Sequence, residues 1–574
     1  MINATKEKLS SFFQGNMQYV VPFFQRSYVW NQENWDTLWE HIKRILDEKI
    51  KKHEHFIGTL IVKQRTPERI GETSYDLIDG QQRLTTFSIL LKAIADTATN
   101  SGVFIKLAEK TNELLVFEDS RGDKHLRIMH SRNDKDYFET LMLNEKQEKL
   151  KNQGHRILQA YRYFHDKLAP FTDEERDELR NIILTNVPVI SMMLAQEDDE
   201  QEIFDTINSL GVRLTTAELL KNHVFQYKEI QDKYEEYWFE VFEEDEDMLA
   251  FWNKKKTSGR VSRTNIDILL YCYLIIQTRR EVNLEKLFQD YKQWLKDKPL
   301  NERKSFLVDL REYAGIYYSF PEGTEINEIA FSESEKRFFH VIENLEITTV
   351  IPLVLCIYKM VTMKKERTKM LGLLESYLVR RNVCRLTTKN YNNLFIQIMQ
   401  QLIDSEEIDY LTLKEILIGF IDDTNRFPSD GEFQRAFGDE QISNSNAYEI
   451  LYCIALYQLN NEYSDVKKLS SLSFSVEHIM PQKWETNWLT RKMREDEKAI
   501  RYKKIKTLGN LTLVTQNLNS KMKNSEWSRK KEHLKEYSKL RLTTDYLKLK
   551  SWDENAIQNR ADILSSDALK IWRR

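Results

Sequence analysis

The 574-residue chain lacks the sequence patterns that mark secreted, zinc-binding or membrane-spanning proteins. No run of about 18 apolar residues is present, which predicts that no helix spans a membrane. Residues 1–15 lack the apolar core of a secretion signal. The four cysteines form no Cys-x-x-Cys pair, which argues against zinc ligation and predicts buried, reduced thiols in a cytoplasmic protein. They are Cys272, Cys356, Cys384 and Cys453.

Glycine and proline are also scarce. The chain has 16 Gly and 9 Pro beside abundant Leu, Lys and Glu, a composition that predicts a helix-rich protein. With the short strands predicted below, the expected fold class is α+β and predominantly helical. Hydrophobic residues make up 41%, as in globular chains, and the length predicts two to four domains.

The net charge of −4 argues by itself against a simple nucleic-acid binder. However, residues 491–550 contain 18 Lys and Arg against 7 Asp and Glu, so the acidic excess lies elsewhere. Such a basic segment is typical of a surface that binds the phosphate backbone, although a solvated basic surface is the alternative. Arg380 and Arg381 could add a further phosphate contact. The predicted DNA contacts of the basic segment are Lys503, Lys504, Lys506, Lys521 and Lys523.

The basic segment surrounds polar residues at defined spacings. Residues 476–482 read Val-Glu-His-Ile-Met-Pro-Gln, Asn510 follows His478 by 32 residues, and Asn519 comes nine residues later. Apolar alternation predicts short strands over 472–479 and 510–514, and the spacing of apolar residues over 517–530 predicts a short helix. His-x-x-Pro alone is a weak signal, because so short a pattern arises by chance.

A strand, a second strand and a helix, with His478 on the first strand and Asn519 on the helix, resemble the HNH (His-Me finger) nucleases. The resemblance is to the branch with His-x-x-Pro and two asparagines. It implies a ββα-metal fold in which His478 is the general base and Asn510 orients the histidine loop. Glu477 and Asn519 would bind Mg²⁺ or Mn²⁺, since hard cations prefer oxygen ligands.

A second polar cluster lies near the N-terminus. An extended aromatic segment, residues 19–30, precedes a predicted strand that runs into Asp79-Gly80-Gln81-Gln82-Arg83, where a helix starts. The amides at such a helix N-terminus favour an anion, and the Arg83 guanidinium can bind phosphate through two donors. The alternative is a structural turn in which Arg83 forms a salt bridge.

This turn and the aromatic segment resemble the ParB/sulfiredoxin-like nucleotidase domain of GmrSD-type enzymes, whose Asp-Gly-Gln-Gln-Arg motif matches at all five positions. The resemblance implies that a nucleoside triphosphate is bound and hydrolysed, with Asp79 catalytic. Tyr28 and Trp30 would contact DNA and sense its modification. For Asn208 and Gly211, a capping or turn role remains equally open. The implied nucleotide contacts are Gln25, Arg26, Asp79, Gly80, Gln81, Gln82, Arg83, Asn208 and Gly211.

Both ends together resemble a single-chain, modification-dependent (type IV-like) GmrSD restriction endonuclease that acts on phage DNA. We expect a nucleotidase and sensor domain over 1–226, a helical linker or arm over 227–422, and a nuclease domain with flanking helices over 423–574. The expected partners are double-stranded DNA, a nucleoside triphosphate and a second copy, since a homodimer would make paired strand cuts easier.

Two alternatives belong to other classes of protein. A nucleotide-gated toxin or signalling adaptor would carry a nuclease-like domain that does not cut DNA. The intact residues Glu477, His478, Asn510 and Asn519 argue against it. A chromosome-partitioning or transcription factor would leave the nuclease motif unexplained, and the sequence has no identifiable helix-turn-helix.

Overall fold

The chain folds as an α+β protein with mostly helical structure, as predicted. The computed structural model describes residues 3–23, 25, 27–48, 58–65, 73–119, 121–130, 134–144, 154–194, 215–225, 227–258, 261–323, 326–460, 466–489 and 492–574. Two compact units divide the chain, Met1–Gln231 and Asp232–Arg574. The boundary expected at residues 422–423 lies inside the second unit, and the three-part division stays a prediction.

The first unit contains a six-stranded mixed sheet with the order β1-β8-β3-β4-β2-β7 and a separate two-stranded pair, β5 and β6. Strand β3 pairs in parallel with β8, and β2 pairs in parallel with β4 and β7. Strand pairs β1–β8 and β3–β4 are antiparallel. The strands are β1 Asn3–Lys8, β2 Met17–Val20, β3 Thr59–Gln64, β4 Thr73–Asp79, β5 Val116–Glu118, β6 Lys124–Leu126, β7 Ile128–Met129 and β8 Pro188–Leu194.

The core of this unit is built around helix α2, Gln81–Thr97. Its side chains are buried on nearly every side, including Phe87, Leu90 and Ile94, as expected for a central helix that is apolar around most of its circumference. Helix α2 follows strand β4 after a single glycine, so its first turn lies at the carboxyl end of that strand. The other α-helices in the described part of this unit are α1 Gln32–Glu48, α3 Leu107–Asn112, α4 Lys135–Met142, α5 Arg156–Leu168, α6 Asp173–Thr185, α7 Thr216–Phe225 and α8 Lys228–Gln231.

The second unit begins with a long series of helices and short strands. Its strand pairs are β9–β10 and β11–β12, both antiparallel. The α-helices and strands described up to residue 470 are α9 Glu240–Phe242, α10 Glu246–Asn253, β9 Lys255–Ser258, β10 Val261–Thr264, α11 Asn265–Thr278, α12 Leu287–Leu295, α13 Leu300–Tyr318, β11 Glu328–Ala330, α14 Ser334–Asn344, α15 Ile351–Met360, α16 Lys364–Val383, α17 Tyr391–Ile403, α18 Tyr410–Gly419, α19 Asp430–Asp439, α20 Asn444–Leu459 and β12 Lys468–Ser470.

The last part of this unit contains the predicted strand–strand–helix order. Strands β13 and β14 pair antiparallel, and helix α20 packs against both of them. The helix expected over 517–530 is two helices, because the chain turns at Lys523, whose φ is +42°. The elements are β13 Ser475–His478, α21 Glu495–Ile505, β14 Leu511–Val514, α22 Gln516–Met522, α23 Trp527–Tyr537, α24 Arg541–Thr544 and α25 Glu554–Ile571.

Gly509, the residue before Asn510, allows helix α25 to approach the backbone closely. A Cβ atom at Gly509 would overlap the carbonyl oxygen of Ile557 and lie 3.0 Å from the Cβ of Ala561 in α25. From the same helix, the buried Arg560 donates to the carbonyl oxygens of Leu508 and Gly509, each at 3.0 Å. Helix α25 therefore fixes the turn that carries Asn510.

Two arginines expected to meet phosphate are instead structural. The guanidinium groups of Arg380 and Arg381 are fully buried. Arg380 donates to the carbonyl oxygens of Trp572 and Pro428, at 2.8 and 3.1 Å. Arg381 donates at 2.9 Å to the carbonyl oxygen of Arg426. Since these donors serve the backbone of the same unit, the predicted phosphate contact is wrong.

The scarce cysteines are mostly interior. Three of them are buried, Cys384 is partly buried, and all four are free thiols. Within the described ranges, no helix is both long and apolar enough to cross a membrane.

Candidate nuclease and nucleotide sites

His478 is the last residue of strand β13 and lies opposite Leu511 of β14. Its imidazole is half-buried, and the side-chain nitrogen of the exposed Gln482 lies 3.2 Å from its Nε2. Burial lowers the pKa of His478 to about 4, and the positive charges of Lys530 and Lys506 act in the same direction. The imidazole is therefore neutral near pH 7, the state in which it can accept a proton.

Asn510 holds the segment that follows His478. Its Oδ1 accepts from the Met480 amide at 2.9 Å and from Trp552 Nε1 at 3.0 Å. Its Nδ2 donates to the carbonyl oxygens of Met480 and Ile505, at 2.8 and 2.9 Å. The carboxamide is completely buried. This network is what the predicted orienting role of Asn510 requires.

Asn519 lies in helix α22 beside strand β13. Its Nδ2 donates to Ser475 Oγ and to the carbonyl oxygen of Val476, at 3.0 and 3.1 Å. Both bonds use the amide nitrogen, so the carboxamide oxygen is the atom that remains for another partner. A carboxamide oxygen is a suitable ligand for a hard cation.

Glu477 forms a buried ion pair. Its Oε1 accepts from the Nζ of Lys530, a lysine of helix α23 that also donates to the carbonyl oxygen of His478 at 2.8 Å. Burial raises the pKa of Glu477, while the Lys530 charge opposes that shift. One carboxylate oxygen is thus occupied by an ammonium group, which leaves only the other for the predicted metal ligation. In the described residues, no group of three or more His, Cys, Asp and Glu side chains is arranged to hold a metal ion.

Four of the five predicted DNA-binding lysines are exposed: Lys503, Lys506, Lys521 and Lys523. Lys504 is different, because its Nζ donates to the carbonyl oxygen of Gly438 at 2.8 Å and lies 3.2 Å from Asp439 Oδ1. Since its charge is used within the unit, the prediction that Lys504 contacts phosphate is corrected.

The N-terminal turn places Asp79, Gly80 and Arg83 together at the end of strand β4. Gly80 has a φ of +93°, and a Cβ there would overlap the side chain of Leu60, so only glycine fits. The Arg83 guanidinium lies 3.1 Å from Asp79 Oδ2 and passes so close to Gly58 that a Cβ on that glycine would overlap Nη1. The predicted turn at a helix N-terminus is present, and it contains the salt bridge of the alternative interpretation.

Two glutamines of the predicted nucleotide site tie the aromatic segment to this turn. Gln25 donates to the carbonyl oxygens of Leu77 and Ile78, at 3.1 and 3.0 Å. The Oε1 of Gln82 accepts from the Val29 amide at 2.8 Å, and its Nε2 donates to the carbonyl oxygen of Ser27 at 3.1 Å.

The side-chain carboxamide of Gln82 is therefore committed to the backbone of the aromatic segment, so a nucleotide contact by Gln82 would use its backbone amide. Gln81 is buried at the start of helix α2. Arg26, Asn208 and Gly211 lie outside the described residues.

Tyr28 is an interior residue, 2% exposed. Its hydroxyl lies 2.7 Å from Thr86 Oγ1 and accepts from Trp35 Nε1 at 2.9 Å. The backbone amide of Tyr28 donates to Asp134 Oδ2 at 2.7 Å. Because the ring and its hydroxyl are enclosed, the prediction that Tyr28 contacts DNA is wrong; Trp30 is only partly buried against the same core.

Three residues that support predicted site residues belong to none of the predicted motifs: Lys530, Trp552 and Asp134. Lys530 is one of many lysines in the basic segment, and Trp552 lies beyond the motif that runs from His478 to Asn519. The spacing of Lys530 from Trp527, one helical turn, places both on the buried side of α23 and is a usable signal.

The second unit contains a strand–strand–helix element that carries His478 and Asn519. The first unit contains a glycine turn with an Asp–Arg pair. The family model for "GmrSD restriction endonuclease, N-terminal domain" matches residues 9–225, and that for "GmrSD restriction endonucleases, C-terminal domain" matches residues 427–566. Together they span more than half of the chain.

The chain belongs to the GmrSD restriction endonuclease family. It is also similar to the uncharacterized protein MJ0686 of Methanocaldococcus jannaschii, with 22% identity over 337 residues. That match covers 52% of this chain and 54% of MJ0686, so the chain spans about half the length of the curated relative.

Asn510→Ala should strongly destabilise the second unit. The substitution leaves two backbone carbonyl oxygens, one backbone amide and the Trp552 indole without their partner in the interior, and we expect the free energy of unfolding to fall by about 3 kcal/mol or more. Urea unfolding followed by far-UV circular dichroism measures it. Asn517→Ala, an exposed asparagine of helix α22, is the control and should change stability by less than about 0.5 kcal/mol. Equal stability of the two variants would contradict the role given to Asn510.

Proposed function

We propose that the protein is a nucleotide-dependent restriction endonuclease that cleaves modified double-stranded DNA, such as that of phages. The observation that carries the proposal is the presence, on one chain and in this order, of both GmrSD restriction endonuclease domains. Strand β13 ends at His478, Asn519 bonds to the backbone of the same strand, and Asn510 bonds to the backbone that follows it; this arrangement supports an HNH-type centre in the second domain.

The cleavage step uses His478 as the general base. The neutral imidazole accepts a proton from a water molecule while the water oxygen forms a bond to phosphorus. The bond from phosphorus to the ester oxygen of the scissile linkage breaks, and that oxygen leaves with the electron pair and takes up a proton from solvent. General-base catalysis contributes about 10²- to 10⁴-fold to such a step.

The side chains present fit a hard divalent cation such as Mg²⁺ or Mn²⁺. Asn519 offers its carboxamide oxygen, and Glu477 offers the carboxylate oxygen that Lys530 does not bind. One or two protein oxygens suffice, because Mg²⁺ keeps several waters and takes phosphate oxygens as further ligands. A bound cation would stabilise negative charge on the phosphate.

The N-terminal unit supplies the nucleotide site of the proposal. The amides at the start of helix α2 and the guanidinium of Arg83 form the anion-binding face, with Asp79 beside them. Because Gln25 and Gln82 are bonded to the strand and the aromatic segment, we assign them to positioning this segment. Trp30 remains the DNA contact that we propose for the segment.

His478→Ala should abolish cleavage without unfolding the protein. Removal of the base is expected to slow cleavage of supercoiled plasmid by about 10²- to 10⁴-fold, with duplex binding retained. Nicking and linearisation are followed on gels in the presence of Mg²⁺ and a nucleoside triphosphate, on modified phage DNA as well as unmodified plasmid. His165→Ala, which removes a solvent-accessible histidine of helix α5, should cut like the wild type. Undiminished cutting by His478→Ala would place the active site elsewhere.

Arg83→Ala and Asp79→Ala should abolish nucleotide hydrolysis, measured as phosphate release. Arg83→Lys should recover only part of it, because an ammonium group cannot reproduce the two-donor geometry of guanidinium. Arg44→Ala, on the exposed side of helix α1, is the matched control and should hydrolyse normally. Full phosphate release by the Asp79 and Arg83 variants would exclude this turn as the nucleotide site.

The exposed lysines should set the salt dependence of DNA binding. In a His478→Ala background, Lys521→Ala/Lys523→Ala should weaken binding to all sequences alike. The slope of log affinity against log salt should flatten by about 0.9 for each phosphate that the protein no longer neutralises. Lys504→Ala is the control, and its slope should equal that of the parent because Lys504 is bonded within the unit. Identical slopes for both variants would mean that the exposed lysines are only a solvated surface.

A further inference from the structure

Lys530 is a second lysine of the basic segment, after Lys504, whose charge is used within the unit. Lys530, in helix α23, is completely buried, whereas Lys535, five residues later in the same helix, is exposed. The Nζ of Lys530 donates to the carbonyl oxygen of His478 at 2.8 Å and to the carboxylate of Glu477. Its charge therefore acts on the strand that carries the proposed base.

Burial of the Lys530 ammonium group costs free energy, and its two partners must offset that cost. A buried ammonium group gives up its hydration, and that cost is offset only by well-placed charged and polar partners. Here the partners are two consecutive residues at the end of strand β13. An apolar side chain of similar length would fill the space but leave the His478 carbonyl oxygen and the Glu477 carboxylate without this donor.

The end of strand β13 is thus held from two directions. On one side, the Ile479 amide donates to the carbonyl oxygen of Asn510 at 2.9 Å, and the Met480 amide donates to Asn510 Oδ1. On the other side is the ammonium group of Lys530. The backbone of His478 lies between these two anchors, so the direction of its side chain depends on both.

We propose that Lys530 is a positioning residue of the nuclease site, which fixes the backbone of His478 and the carboxylate of Glu477 and does not touch DNA. This inference rests on the proposed nuclease function. It separates the exposed lysines proposed to bind the duplex, Lys503, Lys506, Lys521 and Lys523, from a buried lysine that orders the site.

The test compares Lys530→Met with Lys535→Met, which removes an exposed lysine from the same helix. Both are assayed at a temperature at which circular dichroism shows them folded. Lys530→Met should lower kcat for plasmid cleavage by about 10- to 100-fold, the usual effect of removing a residue that orients active-site ligands. Its KM and the salt slope of duplex binding should stay at wild-type values, and Lys535→Met should keep the wild-type kcat.

Amide hydrogen exchange gives a readout that does not depend on cleavage. Exchange over residues 477–480 should accelerate by about tenfold or more in Lys530→Met, while exchange in helices α14 and α16 stays as in the wild type. If Lys530→Met does not fold, Lys530→Gln takes its place with the same expectations, since its amide can still donate to one of the two oxygens.

A wild-type kcat in the folded variant, or exchange that accelerates equally throughout the unit, would make Lys530 a merely structural residue and overturn the inference. A flatter salt slope would also overturn it, because Lys530 would then contact DNA. If the wild-type protein itself does not cleave, the proposed function fails, and the exchange experiment alone decides whether Lys530 orders residues 477–480.

Discussion

The candidate nuclease centre depends on one buried carboxamide. Asn510 has two donor hydrogens and two acceptor positions on its oxygen, and all four are used by the chain around it. These bonds join Met480, Ile505 and Trp552, which come from three separate stretches. Aspartate would lack both donors, and alanine could form none of these bonds. The geometry after His478 therefore follows from an amide that does no chemistry itself.

Much of this centre could be predicted from the sequence because its signals are local. Alternation of apolar residues located strands β13 and β14 to within a few residues, and the position of Asn519 on a helix followed from the next stretch. In the N-terminal unit, the turn at Gly80 could be predicted from the sequence for the same reason. A strand, a glycine and a helix start are adjacent in the chain, and Gly80 adopts the positive φ that such a turn needs.

What could not be predicted was which polar and aromatic side chains are buried, since burial is decided by partners far away in the chain. Tyr28 is enclosed by Asp134 and by Thr86, which lie 106 and 58 residues further on. The carbonyl oxygen that receives Arg380 lies 192 residues away, in Trp572. A basic residue in a sequence does not show whether its charge faces solvent, and the sequence therefore does not distinguish Lys504 from the exposed lysines.

The hydrogen bonds between helix α16 and the residues that follow α25 also set an order of folding. Glu375 accepts from the indole of Trp572 at 2.9 Å, and Ser376 donates to the carbonyl oxygen of Arg573 at 2.8 Å. These contacts cannot form during synthesis until residues 572 and 573 have left the ribosome. Contacts of such high sequence separation form late and slow the completion of a fold. The second unit therefore completes its interior only after translation has passed the strand, turn and helix of the nuclease motif.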